Sequence, residues 1–175
     1  MNLNILLFLK INGLIGRNRW LDLFGRAGAE FVVIAMLGWY VASVFLSSNT
    51  AKETILVRLG TLAAVWLLGW FIDLFIAVIV KEPRPQVTRP ETKLLFQPIM
   101  NWKSFPSDHA MSAFLMVFLS LMFGLPGVEG LVAMAIWVCW GRVFSGLHYP
   151  FDLVGGFAVA ALVTVISYNL LLIFF

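Results

Sequence analysis

The chain has two histidines, and each stands in a polar cluster that breaks an otherwise apolar sequence: Pro106-Ser107-Asp108-His109 and Arg142-x5-His148-x3-Asp152. A third cluster, Glu82-Pro83-Arg84-Pro85, adds another guanidinium. Together they hold cationic and hydroxyl phosphate binders, two imidazoles and a carboxylate, the inventory of a phosphate-ester hydrolase with a histidine nucleophile. Arg84 and Arg142 offer planar forks matched to phosphate oxygens and suited to neutralising charge during transfer. Ser107 follows Pro106 where an apolar helical run begins, so its hydroxyl and the nearby backbone N–H groups can face an anion at the positive end of the helix. His148 precedes Asp152 by four residues across Pro150, a spacing that lets the carboxylate accept from one ring nitrogen and leaves the other free to attack phosphorus. His109 then serves as general acid for the leaving oxygen and later helps to activate water.

The elements that position these groups are helices in a membrane. Hydrophobic residues make up 61% of the 175 positions and charged residues 12%, with a mean hydropathy of +0.94, against about 25% charged in an ordinary soluble domain. Apolar runs near 31–47, 55–80, 106–124, 131–147 and 153–174 approach the length of about 20 residues that crosses a hydrocarbon core. They must be helical, because a lipid-exposed backbone has to satisfy its own hydrogen bonds. The expectation is an all-α integral membrane bundle of five to six transmembrane helices, one domain over 1–175, with the active site at one membrane face. In residues 1–28, Lys10, Arg17, Arg19, Asp22 and Arg26 interrupt the apolar residues, which points to an interfacial amphipathic segment, or to a sixth, tilted helix. Positive charges follow the first apolar run rather than precede it, so a cleaved signal peptide is not expected.

The long connection, 81–105, is basic and carries Pro83, Pro85, Pro90 and Pro98, so it reads as an ordered, irregular cap over the site. By parity, five spans put that loop, the Tyr149-Pro150 turn and the amino terminus on one face. Arg84, Ser107 to His109, Arg142 to His148 and Asp152 then meet as four helix ends in one water-accessible bowl suited to an amphiphilic phosphate. Trp20, Trp39, Trp66, Trp102 and Tyr168 read as an interfacial belt. Gly155, Gly156, Ala158, Ala160 and Ala161 read as a close-packing face of the last helix. Cys139 is the sole cysteine, so no intrachain disulfide can form. Asp73 falls within the second run, about three helical turns before Arg84, and is expected to point into the bundle below the site. Arg58, near the start of that run, is expected to snorkel to the far interface. No metal-ligand cluster, P-loop, repeat or nucleic-acid signature is present, and no cofactor is expected.

The three ordered motifs resemble the signatures of the type 2 phosphatidic acid phosphatase superfamily, by motif over about 70–160 and by helix pattern over nearly the whole chain. The resemblance implies His148 as nucleophile, Asp152 as its partner, His109 as acid and base, and Arg84, Ser107, the backbone of Asp108, and Arg142 as phosphate holders. Two positions depart from the family pattern. Ala77 stands where a lysine is usual, with Lys81 the nearer substitute, and Gly141 stands where serine is common. The Ser-Asp-His form of the second motif is similar to bacitracin-resistance-type undecaprenyl pyrophosphate phosphatases. That implies a bacterial inner-membrane enzyme acting on undecaprenyl pyrophosphate, with phosphatidylglycerophosphate, phosphatidate or the 1-phosphate of lipid A as alternative substrates and non-catalytic binding of anionic lipid as a different class. The lysines and arginines crowd the site face, which the positive-inside rule would call cytoplasmic. Five of them, Lys81, Arg84, Arg89, Lys103 and Arg142, belong in or beside the site, however, so the site is expected to face the periplasm or cell exterior.

Overall fold

The computed structural model describes residues 2–47, 51–98 and 100–174, and their regular structure is helical throughout, with no strand among the described residues. In chain order the helices are α1 (Leu3–Asn12), α2 (Arg19–Glu30), α3 (Val32–Leu46), α4 (Lys52–Val80), the single turn α5 (Pro85–Thr88), α6 (Asp108–Met122), α7 (Val128–Phe144) and α8 (Pro150–Phe174). The five expected apolar runs map onto α3, α4, α6, α7 and α8. Among the described residues only α4 and α8 are long and apolar enough to cross a membrane by length and composition alone, and α2 with α3, bent by 55°, can be counted as a third, broken span. The shorter α6 and α7 have a physical cause. Ser107 and His148 lie where the chain leaves helical geometry, at 103–107 and 145–149, and the connection from α6 to α7 passes through Gly124 and Gly127 in the left-handed region at φ 59° and 77°.

Local chemistry sets the helix boundaries. Asn2 and Asn18 cap α1 and α2, accepting from the backbone N–H of Ile5 at 3.0 Å and Trp20 at 2.8 Å. Helix α4 stops at Lys81, which adopts a left-handed φ of 52°, and Pro83 and Pro85 prevent its resumption. Pro150 opens α8, where its missing N–H costs nothing, and Asn4 Oδ1 accepts from Phe151 N at 3.0 Å, so α1 satisfies one of the donors left free there.

Helix α6 is the axis. Ala110, Met111, Ala113, Leu115, Met116, Val117 and Leu119 are all buried, and the core around them draws Met36 and Tyr40 from α3, Leu62 and Val65 from α4, Leu131 and Val138 from α7 and Val163 from α8. Large apolar side chains on the outer faces, such as Ile34, Phe71, Phe75, Val154 and Leu172, stay exposed, as a lipid-facing surface requires. Arg58 sits at the end remote from the histidines, donating to Ser47 Oγ at 2.5 Å and lying 6.0 Å from the Phe123 ring centroid.

Close helix crossings depend on glycine. A Cβ on Gly156 would lie 2.5 Å from Ser107 O and 2.8 Å from Met111 N, so α8 meets α6 backbone to backbone. Gly156 and Ala160 of the expected small-residue face are buried, while Ala158 is exposed. At the α2–α7 crossing, a Cβ on Gly141 would come 2.6 Å from Ala29 N and 2.9 Å from Gly25 O. This accounts for glycine where the family commonly has serine: α2 occupies the space a side chain would need. Gly141→Ala should therefore lower stability by about 1–3 kcal/mol through overpacking, read as a reduced midpoint of thermal unfolding in detergent. An unchanged midpoint would show that the crossing is looser than the structure has it.

Candidate active site

Four chain segments converge at one end of the bundle. Arg84 caps the short α5 turn, and its extended side chain is fixed by donating from Nε to Met100 O at 2.6 Å and from Nη1 to Leu147 O at 2.8 Å. Arg142 projects from the last turn of α7 and donates from Nη1 to Ala29 O at 3.1 Å. Both guanidiniums then reach the same atom: Arg142 Nη2 lies 3.1 Å and Arg84 Nη1 3.4 Å from His148 Nε2. The three side chains are almost fully buried, at 6%, 7% and 2% exposure.

Two donors aimed at one ring nitrogen decide the state of the imidazole. Guanidinium has no acceptor, so Nε2 must carry the lone pair and the ring proton resides on Nδ1. Nδ1 faces Asp152, whose Oδ2 is 3.4 Å away. That oxygen is itself held by Ser104 Oγ at 2.5 Å and Tyr149 N at 2.8 Å, and Asp152 O accepts from Ser107 N at 3.1 Å. Asp152 thus both caps the start of α8 and backs the imidazole, two roles one carboxylate can combine. His148 lies outside the helices, between α7 and α8. Its burial first, and then the Arg142 and Arg84 charges, hold its pKa well below the ordinary histidine value. Burial likewise lowers the pKa of Arg84, opposed by the Asp152 and Asp108 carboxylates. The result is a neutral, buried imidazole whose free lone pair points to where two cations already converge.

Ser107, Asp108 and His109 begin α6. Ser107 is fully buried and its Oγ accepts from Ala110 N at 3.5 Å. His109 is within electrostatic reach of Arg142, His148 and Arg84. It also lines, with Asp108 and Ser112, the polar end of an apolar cavity of about 550 Å³ that runs between α3, α4 and α6 past Leu37, Trp66 and Met116.

Seven of the eight residues expected at the site, His148, His109, Asp152, Arg84, Ser107, Asp108 and Arg142, are brought to this end of the bundle. Lys81 is not: it is exposed at the left-handed stop of α4, with no hydrogen bond or ion pair to the cluster among the described residues. A different lysine is present. Lys103 is 4% exposed and its Nζ contacts Asp108 Oδ1 at 2.5 Å. Sequence reasoning put Lys103 in or beside the site without giving it a partner there, and passed over Ser104. The available signal was their position just before Pro106, which bars a helix there and lets residues 103–106 double back, tied by Ser104 N to Glu82 O at 2.9 Å. Asp73 does point inward, as expected; it is fully buried.

The loop 81–105 is fastened from α1. Asn12 donates to Lys93 O at 2.8 Å and Phe144 O at 2.9 Å and accepts from Lys93 N at 2.9 Å, while Lys93 Nζ donates to Ile15 O at 2.9 Å. Thr88 Oγ1 and Tyr149 OH, 2.8 Å apart, join the other side of the loop to the turn that carries His148.

Residues 58–172 match the PAP2 superfamily. The chain is 28% identical over 165 residues to undecaprenyl-diphosphatase BcrC of Bacillus subtilis (strain 168), an alignment that covers 92% of this chain and 80% of that protein. It is 32% identical over 115 residues to sphingosine-1-phosphate phosphatase 2 of Homo sapiens, covering 61% of this chain and only 28% of that longer protein. Among solved structures, LpxE of Aquifex aeolicus has the same fold, with a TM-score of 0.71 at 24% identity over 97% of this chain and 96% of that one.

The convergence on Nε2 makes a spectroscopic prediction. A free histidine is about half protonated near pH 6.5, and a depressed pKa means protonation is delayed to lower pH. Nitrogen NMR of histidine-labelled protein, with His148 assigned by loss of the His109 signal in His109→Gln, should show His148 neutral and protonated on Nδ1 at pH 6.5. An imidazolium at that pH, or a proton on Nε2, would contradict the geometry.

Proposed function

The chain belongs to the PAP2 superfamily, and from that membership and the buried cluster we propose that it is an integral membrane enzyme that removes a phosphoryl group from a lipid phosphate or diphosphate through a phosphohistidine on His148. The observation that carries this reading is the meeting of Arg84 and Arg142 on the lone-pair nitrogen of a buried imidazole backed by Asp152. A phosphoryl group entering there takes the guanidinium contacts that Nε2 now receives. The Nε2 lone pair forms the N–P bond as the bond from phosphorus to the lipid oxygen breaks. That oxygen takes a proton from His109, while the ring proton on Nδ1 is held toward Asp152, which stabilises the charged ring. In the second half, His109 accepts a proton from water, the water oxygen bonds to phosphorus, and the N–P bond returns its pair to Nε2. Ser107 and the first N–H groups of α6 hold phosphate oxygens through both steps.

Undecaprenyl diphosphate, giving undecaprenyl phosphate and inorganic phosphate, is the substrate we favour, because the similarity to a protein named for that reaction extends over 92% of this chain. The apolar cavity that ends at His109 offers a place for a lipid chain beside the headgroup site. In this reading α3, α6 and α7 traverse the bilayer with α4 and α8, shielded by their neighbours and so tolerating lengths below a free-standing span. Residues 1–28 lie along the interface, and 81–105 cap the site, which faces the periplasm or cell exterior of a bacterial inner membrane.

The test is phosphate release by purified protein from undecaprenyl diphosphate, phosphatidylglycerophosphate, phosphatidate and lipid A, in excess EDTA. Release from undecaprenyl diphosphate that survives the chelator and falls by about a thousandfold or more in His148→Ala is expected, the scale of losing a nucleophile. Release that persists in the mutant, or that the chelator abolishes, would overturn the mechanism. Binding of these lipids without release by the wild-type protein would favour a non-catalytic lipid-binding role.

A further inference from the structure

Lysine is almost never fully buried unless paired, and Lys103 is 4% exposed. Its partner Asp108 is partly open, at 36% side-chain exposure, and lines the cavity beside His109. Behind the pair lies a second carboxylate. Asp73 of α4 is completely buried, neither of its oxygens makes a hydrogen bond of good geometry, and its charged neighbours are Asp108 and Lys103. Two carboxyl groups beside one ammonium exceed what a structural ion pair needs, and a buried polar group without a good hydrogen bond is costly to keep. The ammonium, moreover, is held at the start of α6, where its partner Asp108 stands between Ser107 and His109. The backbone that carries it is fixed by the adjacent Ser104, which donates to Asp152 at 2.5 Å.

Resting on the phosphatase reading above, we propose that Lys103 is a further phosphate-binding residue of this site and that Asp73 and Asp108 are its positioning residues. Before substrate arrives the cations Arg84, Arg142 and Lys103 are interleaved with the carboxyl groups of Asp73, Asp108 and Asp152, with Glu30 acting on Arg142 from α2. A phosphate or diphosphate brings in additional negative charge. Lysine is the cation able to answer, because its ammonium is a compact charge on a flexible stem, whereas both arginines are tied to backbone carbonyls. As the ammonium turns to a phosphate oxygen, Asp73 and Asp108 stay in place behind it, fixed in α4 and at the start of α6. Asp73 thereby holds Lys103 poised without touching substrate.

The test is calorimetric binding of orthovanadate to the full-length protein in detergent, beside turnover of undecaprenyl diphosphate and thermal unfolding. Lys103→Met should weaken orthovanadate binding about tenfold or more, the scale of a lost charge-assisted contact. Asp73→Asn should weaken it about threefold, and should add nothing in the Lys103→Met background, because the two act through one ammonium. Orthovanadate affinity in Lys103→Met within about twofold of wild type, or effects that multiply in the double variant, would overturn the proposal while leaving His148-dependent turnover in place. If Lys103→Met does not fold, Lys103→Gln takes its place with the same expectation, and failure of both to fold would mark Lys103 as a structural counter-ion and overturn it too. Wild-type protein that neither turns over lipid nor binds orthovanadate would remove the phosphatase reading and this inference with it.

Discussion

Two guanidinium groups buried against one neutral imidazole are the arrangement on which this structure turns. Like charges in a low-dielectric interior repel strongly, and each carries a large desolvation cost unless its donors are satisfied. The chain meets that demand with backbone carbonyls at Met100, Leu147 and Ala29, each contributed by a different segment, and with a buried carboxylate, Asp152, whose Oδ2 faces the imidazole and is held by Ser104 and Tyr149. Fixing the arginines therefore fixes the ends of α2, α7 and α8 and the long loop relative to one another.

The rest of the bundle follows from holding polar groups together at membrane depth. Helices cannot approach closely enough around bulky side chains, so Gly141 and Gly156 let backbone meet backbone where α7 crosses α2 and α8 crosses α6. The irregular loop over the site would leave its backbone groups unpaired in an apolar setting. Asn12 answers this by binding both the N–H and the C=O of Lys93. An asparagine in the first helix thus seals a site built from the last four. The outer faces of α4 and α8 need no such provision, and they expose large apolar side chains such as Phe71, Phe75, Val154 and Leu172.

Much of this was legible in the sequence because the chemistry imposes it. Arg84, Ser107, Arg142, His148 and Asp152 are polar residues among apolar runs, and the helix-end positions they occupy already implied convergence. The positions of the five core helices were equally plain, since long apolar runs in a bilayer have few options. What escaped was whatever depends on the path of irregular chain. Lys81 is nearer to Arg84 in sequence, yet the left-handed stop at its own position turns it to solvent. Lys103 was expected in or beside the site, but its pairing with Asp108 was not, and it arises because Pro106 ends regular structure and Ser104 ties the loop to Glu82 and Asp152. Length is affected for the same reason: α6 starts at Asp108 because the turn before it carries Ser104 and Ser107.

The central claim is that His148 Nε2 takes the phosphoryl group, and trapping the intermediate tests it most directly. Protein mixed with undecaprenyl diphosphate radiolabelled on its terminal phosphate, quenched rapidly in alkali to preserve phosphohistidine and digested for peptide mass spectrometry, should carry the label on the peptide containing His148. Label on Ser107, Asp108 or any other residue, or turnover at full rate with no labelled protein in the burst, would contradict the account.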